Sequence, residues 1–275
     1  MYSSISSLRD DPQLARALES IRHRGWRGGL ISPHRAFVRL RLTPRRIIES
    51  AILALAGTAG WILLLPIVGR FWILIFTFWG KQLGLNSAVL YAPQGWGSRI
   101  HFFLPCFGIA AGPASGMNWW ITTVATVLAF MGSFLLADEA LPWIYLIRGV
   151  CLLQATALLY FAVAGARFPH DLQGYTVSML VFSCILIGLV PLMYGFTLYL
   201  LNFSLAQKCV LTLATMGHLI LLVPHQYLLH VYVLHFSVLY MPVLYFVFGP
   251  FLDILAFVGF YSWGMSWRSQ EQFEI

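Results

Sequence analysis

Charge is scarce in this sequence. Asp and Glu number 10 in 275 residues, and the four charged types together make up 10%. A soluble domain of this length covers its surface with charge, so that class is excluded. Cysteine is sparse too: Cys106, Cys151, Cys184 and Cys209 lie in or beside apolar segments, which excludes a spaced extramembrane disulfide framework. The long Leu/Val/Phe runs do not alternate, which excludes a transmembrane barrel. Residues 1–44 lack the short apolar core and small-residue cleavage site of a secretory signal peptide, so the first apolar helix is expected to stay as an anchor. No internal repeat stands out.

What is present is hydrophobic: 59% of residues, with a mean hydropathy of +0.77. Apolar runs occupy about 47–68, 119–136, 142–165, 176–200, 209–223 and 227–247, with a weaker one near 250–266 that Asp253 interrupts. About 20 helical residues span a hydrocarbon core of ~30 Å, and helices satisfy their own backbone in lipid. The expected fold is all-α, a polytopic transmembrane helix bundle of six or seven crossings in contact with membrane lipids. Residues 71–105 run from the aromatic stretch Phe71 to Trp79 through Asn86, Pro93, Gly95 and Gly97. That composition predicts an interfacial region on the outer face rather than a crossing.

The formal charge of +7 is concentrated, because ten of the seventeen basic residues lie between Arg9 and Arg46. Positive residues favour the cytoplasmic side. Residues 1–46 are therefore expected to be a basic cytoplasmic segment, with residues 10–22 able to lie on the membrane as an amphipathic helix. Residues 47–200 form the expected membrane core and 201–275 supply additional C-terminal helices. A basic segment directly before a membrane helix is a topology signal or a contact for anionic headgroups, so no nucleic-acid partner is expected. This orientation puts Asp138, Glu139 and Lys208 inside, and Arg167, His170 and His225 outside.

Ionisable groups at membrane depth are costly and mark functional positions. The candidates are Arg148, His170, Asp171, His218, His225, His230, His235 and Asp253. Imidazole is a common haem or metal ligand, yet the steps of five among His225, His230 and His235 rotate by about 140° on a helix, and Pro224 separates His218 from them. Interhelical hydrogen bonding is the expected use, ahead of haem or metal binding. Asp253, isolated in the last run, is expected at an interface rather than in a proton pathway, because transporters pair such charges.

Three stretches carry Cys, Arg and His in that order: Leu104-Pro105-Cys106-Phe107-Gly108-Ile109, Trp143-Ile144-Tyr145-Leu146-Ile147-Arg148, and Pro169-His170-Asp171-Leu172-Gln173-Gly174-Tyr175. The order, the gaps of about forty and twenty residues and the glycines following Cys and His resemble the exosortase/archaeosortase family of membrane cysteine transpeptidases. The resemblance covers roughly residues 47–190, including a first crossing that ends in Leu65-Pro66; Phe107 and Tyr145 stand where the family usually has a small polar residue and Asn.

That resemblance implies Cys106 as nucleophile, His170 as the base that deprotonates it, and Arg148 as donor to the tetrahedral oxyanion. The chemistry needs these types, since a thiolate attacks a peptide carbonyl once a base takes its proton, and the developing oxyanion needs hydrogen-bond donors. Residues 106–116, broken by Gly112 and Pro113, can re-enter the bilayer and carry the thiol toward Arg148. The resemblance further implies a bacterial inner membrane, no cofactor, and as substrates exported proteins with a C-terminal hydrophobic tail. Cys151, Cys184 and Cys209 remain packing residues. Two other readings stand beside it: a non-enzymatic membrane scaffold or assembly subunit, and a histidine-ligated redox subunit.

Overall fold

A computed structural model of the chain describes residues 44–85, 88–96, 100–114, 116–137, 140–165, 168, 171–198 and 203–267, all within one compact unit. Residues 1–43, Asp138, Glu139, Arg167 and His170 lie outside the described residues. In chain order the elements are α1 (Pro44–Gln82), β1 (Val89–Trp96), β2 (Ile100–Phe107), α2 (Met117–Gly132), α3 (Leu141–Ala164), α4 (Leu172–Leu198), α5 (Leu205–Phe236), a 3-10 turn (Val238–Tyr240), α6 (Met241–Val247) and α7 (Pro250–Ser266).

Five spans among the described residues are long and apolar enough to cross a bilayer: α1, α3, α4, α5 and the interrupted Val238–Ser266. The chain is a multi-pass, all-α membrane protein with one hairpin among the described residues, and the count of spans there is five rather than the expected six or seven. Two causes account for the difference. The 119–136 run yields only the 16 residues of α2, about 24 Å at 1.5 Å per residue. The 209–223 and 227–247 runs fuse into the 32-residue α5, which continues through Pro224; a membrane helix tolerates one lost donor when its neighbours hold it in place. The chain turns instead at Ser237, whose backbone is extended and whose hydroxyl donates to the Pro113 carbonyl at 3.0 Å. Side chains such as Leu63 and Val163, 76% and 80% exposed, make a surface that suits lipid.

α1 also departs from expectation. Its 39 residues, about 58 Å, continue through Pro66 and the aromatic stretch instead of ending there. The reason lies in the face it buries: Trp61, Leu65, Val68, Trp72, Phe76 and Gly80 recur every three or four residues along one stripe. The lower part of the stripe packs against α4, where Trp61 Nε1 donates to the Cys184 carbonyl at 2.9 Å. Small residues permit that approach, Gly188 lying against Trp61 and Gly195 against Ala54. The upper part seats the hairpin: Gly69 faces the Phe103 carbonyl, Gly80 faces the Phe107 ring, and Phe76 stacks on Phe107 at 5.6 Å between centroids.

β1 and β2 pair antiparallel, with Leu90 opposite Cys106 and Pro93 opposite Phe103. Both prolines fall in one alternating set of pairs (Pro93 with Phe103, Tyr91 with Pro105), which leaves the other set free of prolines to carry ladder bonds. Along β2, Phe102, Leu104 and Cys106 are buried while His101 and Phe103 are exposed, the period of two that a strand imposes. α5 returns antiparallel to α4 and beside α1, whose Trp72 donates to the Ile220 carbonyl (2.9 Å) and whose Ser50 accepts from Lys208 (3.1 Å), tying the two along their length. Residues 205–266 thus share the bundle core rather than standing apart from it.

Candidate functional site

Cys106 sits on β2 and is fully buried. Its thiol donates to the carbonyl of Leu90, the register partner across the hairpin, at 3.6 Å. The start of α4 also comes close to it. Asp171 caps that helix, its Oδ1 accepting from the Gly174 backbone N–H at 2.8 Å, as a short carboxylate at a helix start does. Burial raises the Cys106 thiol above its ordinary value, the negative charge of Asp171 raises it further, and a hydrogen bond from Gln173 draws it back. A thiol so placed is protonated near neutral pH, so nucleophilic attack requires a base that removes the proton as the sulfur bonds.

His170, the base implied by the sequence, lies outside the described residues, immediately before Asp171 in the chain. Arg148 is placed elsewhere. Its Nε donates to Ser133 Oγ at 3.0 Å and its guanidinium lies 4.3 Å from the Phe134 ring centroid. Both partners belong to the α2–α3 turn. Because α2 and α3 run antiparallel, with Trp119 Nε1 bonded to the Leu158 carbonyl at the other end, Arg148 is sixteen residues of helix, about 24 Å, from the α3 terminus that leads toward Asp171. The described structure therefore sets Cys106 against the residues after His170 and does not set Arg148 beside it. Nor does the segment after Cys106 descend toward Arg148: Gly112 exchanges backbone hydrogen bonds with Leu234 (2.9 Å) and Val238 (3.0 Å) at the far end of α5.

A lateral cleft of about 320 Å³ opens at the same end of α4, between it and α6, lined by Gly174, Tyr175, Met179, Met241 and Phe246. Gly174 faces this cleft while Gln173 faces Cys106, a displacement of one residue, or about 100° around the helix.

The histidines diverge. His218 packs on the Phe260 ring, His225 bonds the Leu221 carbonyl of its own helix, and His235 lies beside Phe236. His230 is buried and links helices: Nε2 faces the Phe248 carbonyl at 3.0 Å and Nδ1 faces the Tyr175 hydroxyl at 3.0 Å. A carbonyl only accepts, so Nε2 carries the proton and a neutral ring accepts from Tyr175 at Nδ1. Among the described residues no three His, Cys, Asp or Glu side chains gather as a metal site requires.

Asp253 corrects its expectation as well, being fully buried rather than interfacial. Ser183 donates to its Oδ2 at 2.8 Å, and Ser183 in turn accepts from Tyr227, 3.2 Å away. Sequence reasoning missed Gln226, Tyr227 and Ser183, although Gln226, Tyr227 and His230 within five residues beside Pro224 were a visible polar concentration in an apolar run. Comparison of the chain with protein-family models, curated proteins and solved structures gives no match.

Proposed function

We propose that the chain is a membrane cysteine transpeptidase of the exosortase type, with Cys106 as nucleophile and His170 as its base. One observation carries the reading: Gln173, three residues after His170, comes within hydrogen-bonding reach of Cys106, and the charge of Asp171 is near enough to act on its thiol, although both are distant in sequence. In the reaction the thiol proton passes to the imidazole as sulfur bonds to the substrate carbonyl carbon. Collapse of the tetrahedral intermediate breaks the C–N bond, and the imidazolium returns the proton to the leaving amine. The amine or hydroxyl of an acceptor then attacks the thioester, gives its proton to the imidazole and releases the sulfur, which is reprotonated. Arg148, held at Ser133 and Phe134, is left out of this group.

The substrates are exported proteins with a C-terminal hydrophobic tail, and the cleft beside Tyr175 offers apolar surface for such a tail near the cysteine. Arg45 and Arg46 open α1, and the hairpin with Cys106 packs on its other end. With the basic segment cytoplasmic, the reaction belongs at the outer face of a bacterial inner membrane. A scaffold role is the second reading, favoured by the complete burial of Cys106. Cys106→Ala separates the two. With a tail-bearing substrate as readout, an enzyme loses processing on the order of 10³-fold or more, and His170→Ala does the same. A scaffold processes nothing and assembles unchanged with either variant.

A further inference from the structure

α1 carries one cation far from its basic start. Arg45 and Arg46 open the helix, and after Glu49 no charged residue occurs until Arg70. The 20 uncharged residues from 50 to 69 make about 30 Å of helix, one hydrocarbon thickness, so Arg70 stands at headgroup level on the side opposite Arg45. Its side chain is exposed and, among the described residues, makes no hydrogen bond or ion pair. The described carboxylates are engaged elsewhere: Glu49 with Arg45, Asp171 at the Gly174 N–H, and Asp253 with Ser183. The counter-charge of Arg70 therefore comes from outside the described chain.

The surroundings narrow what that charge is. Arg70 lines a groove of about 490 Å³ with Ile73 and Leu74 of α1 and with Tyr91 and Phe103 of the hairpin. Leu74, Tyr91 and Phe103 are exposed, and so are Ile67 and Leu63 on the side toward the bilayer centre. Tyr91 pairs with Pro105, so Phe103, two residues along, shares its face of the hairpin. Phe103 reaches the turn that bears Arg70 because Gly69 lets its carbonyl lie against the helix. The Tyr91 hydroxyl, like the guanidinium, has no hydrogen-bond partner among the described residues. Two unsatisfied donors thus share one apolar groove. A guanidinium binds a phosphate through paired N–H bonds and a phenol can add another, and walls of low polarity strengthen such bonds. A free anion would leave the aliphatic face below Arg70 bare, whereas a phospholipid covers it with its own chains.

We propose that Arg70 and Tyr91 hold the phosphate of one anionic phospholipid, whose acyl chains run past Ile67 and Leu63 toward the bilayer centre. A tyrosine and an arginine at headgroup level are the residues that anchor a helix there. Because Arg70 belongs to α1 and Tyr91 to the hairpin, the lipid also ties the two together. The site is independent of Cys106 as nucleophile and stands whether or not the chain is a transpeptidase.

The test uses the full chain in detergent, with retained lipid counted by native mass spectrometry during titration with phosphatidylglycerol. The wild type is expected to keep one tightly held phosphatidylglycerol that diacylglycerol does not replace. Arg70→Gln should weaken its retention roughly 10- to 100-fold and Tyr91→Phe roughly 2- to 10-fold, while Arg45→Gln, whose partner is Glu49, leaves it unchanged. Lipids held by other basic residues are common to the wild type and both groove variants. Equal retention by the wild type and Arg70→Gln overturns the proposal and leaves Arg70 to an acidic partner chain. Displacement of the lipid by sodium phosphate at matched ionic strength also overturns it, because the site then reads a free anion. Arg70 and Tyr91 are both exposed, so neither variant disturbs the core and misfolding does not shelter the idea.

Discussion

Gly69 is where the long first helix and the cysteine-bearing strand touch most closely, and Gly69→Ala tests whether that contact positions Cys106. A Cβ at Gly69 comes within 2.5 Å of the Phe103 carbonyl oxygen, and contacts below 3.0 Å essentially do not occur. The obstacle is backbone, so no rotamer relieves it. β2 must retreat by roughly 0.5–0.9 Å to reach 3.0–3.4 Å, and Cys106, three residues along the same strand, moves with it. Overpacking of this kind costs about 1–3 kcal/mol, partly offset by the gain of up to about 1 kcal/mol that alanine brings to a helix interior. Gly60→Ala is the internal control, because a Cβ there meets nothing within 4 Å and only the propensity gain remains. Relative to that control, Gly69→Ala should lower Tm by roughly 2–12 °C and change the rate at which Cys106 is alkylated, since displacements near 1 Å alter reactivity by up to about 10²-fold. Identical melting curves and alkylation rates for the two variants would refute the claim that α1 holds the strand in place.

Other outcomes follow from the same geometry. Asp171→Asn keeps the helix cap, because Asn caps as well as Asp, but removes the charge that raises the Cys106 thiol; alkylation should then set in at lower pH than in the wild type, while Gln173→Ala shifts it the other way. Since the folded state raises this thiol above its ordinary 9.0, its contribution to stability is present below that pH and fades as pH climbs through the folded value, visible as a falling Tm in the alkaline limb. Arg148→Gln removes a charged hydrogen bond and a ring contact at the α2–α3 turn, so urea or thermal unfolding should register about 1–3 kcal/mol with Cys106 alkylation unchanged. A tenfold change in alkylation or processing in that variant would return Arg148 to the catalytic group.

Much of the architecture was legible in the residues, and the errors were local. Hydropathy located each apolar run, since burying a backbone in lipid leaves helices as the solution for non-alternating segments. It misjudged the breaks. Pro66 and Pro224 read as ends but lie inside helices, because each interrupts one hydrogen bond while a continuous buried face carries the helix onward. The gap read between the 227–247 and 250–266 runs, by contrast, is a real interruption, with Phe248 and Gly249 leaving helical geometry. The hairpin was missed because its strands bear prolines and glycine, and the alternation of burial along β2 holds only from His101 to Leu104.

At the candidate site, the chain itself specified which chemistry was available: one cysteine among glycines, one arginine at depth, and a His-Asp pair before a helix. Composition likewise determined the solvent, since a chain with so little charge and so much exposed aliphatic surface is stable only in a bilayer. Which of those groups meet was decided in three dimensions. The antiparallel return of α3 carries Arg148 to the far turn, the start of α4 brings Gln173 to Cys106, and the start of α7 brings Asp253 to Ser183. Spacing along a sequence fixes the face of a helix on which a residue stands, but its neighbours depend on how whole helices cross, and small residues such as Gly69, Gly188 and Gly195 settle those crossings through contacts made only after folding.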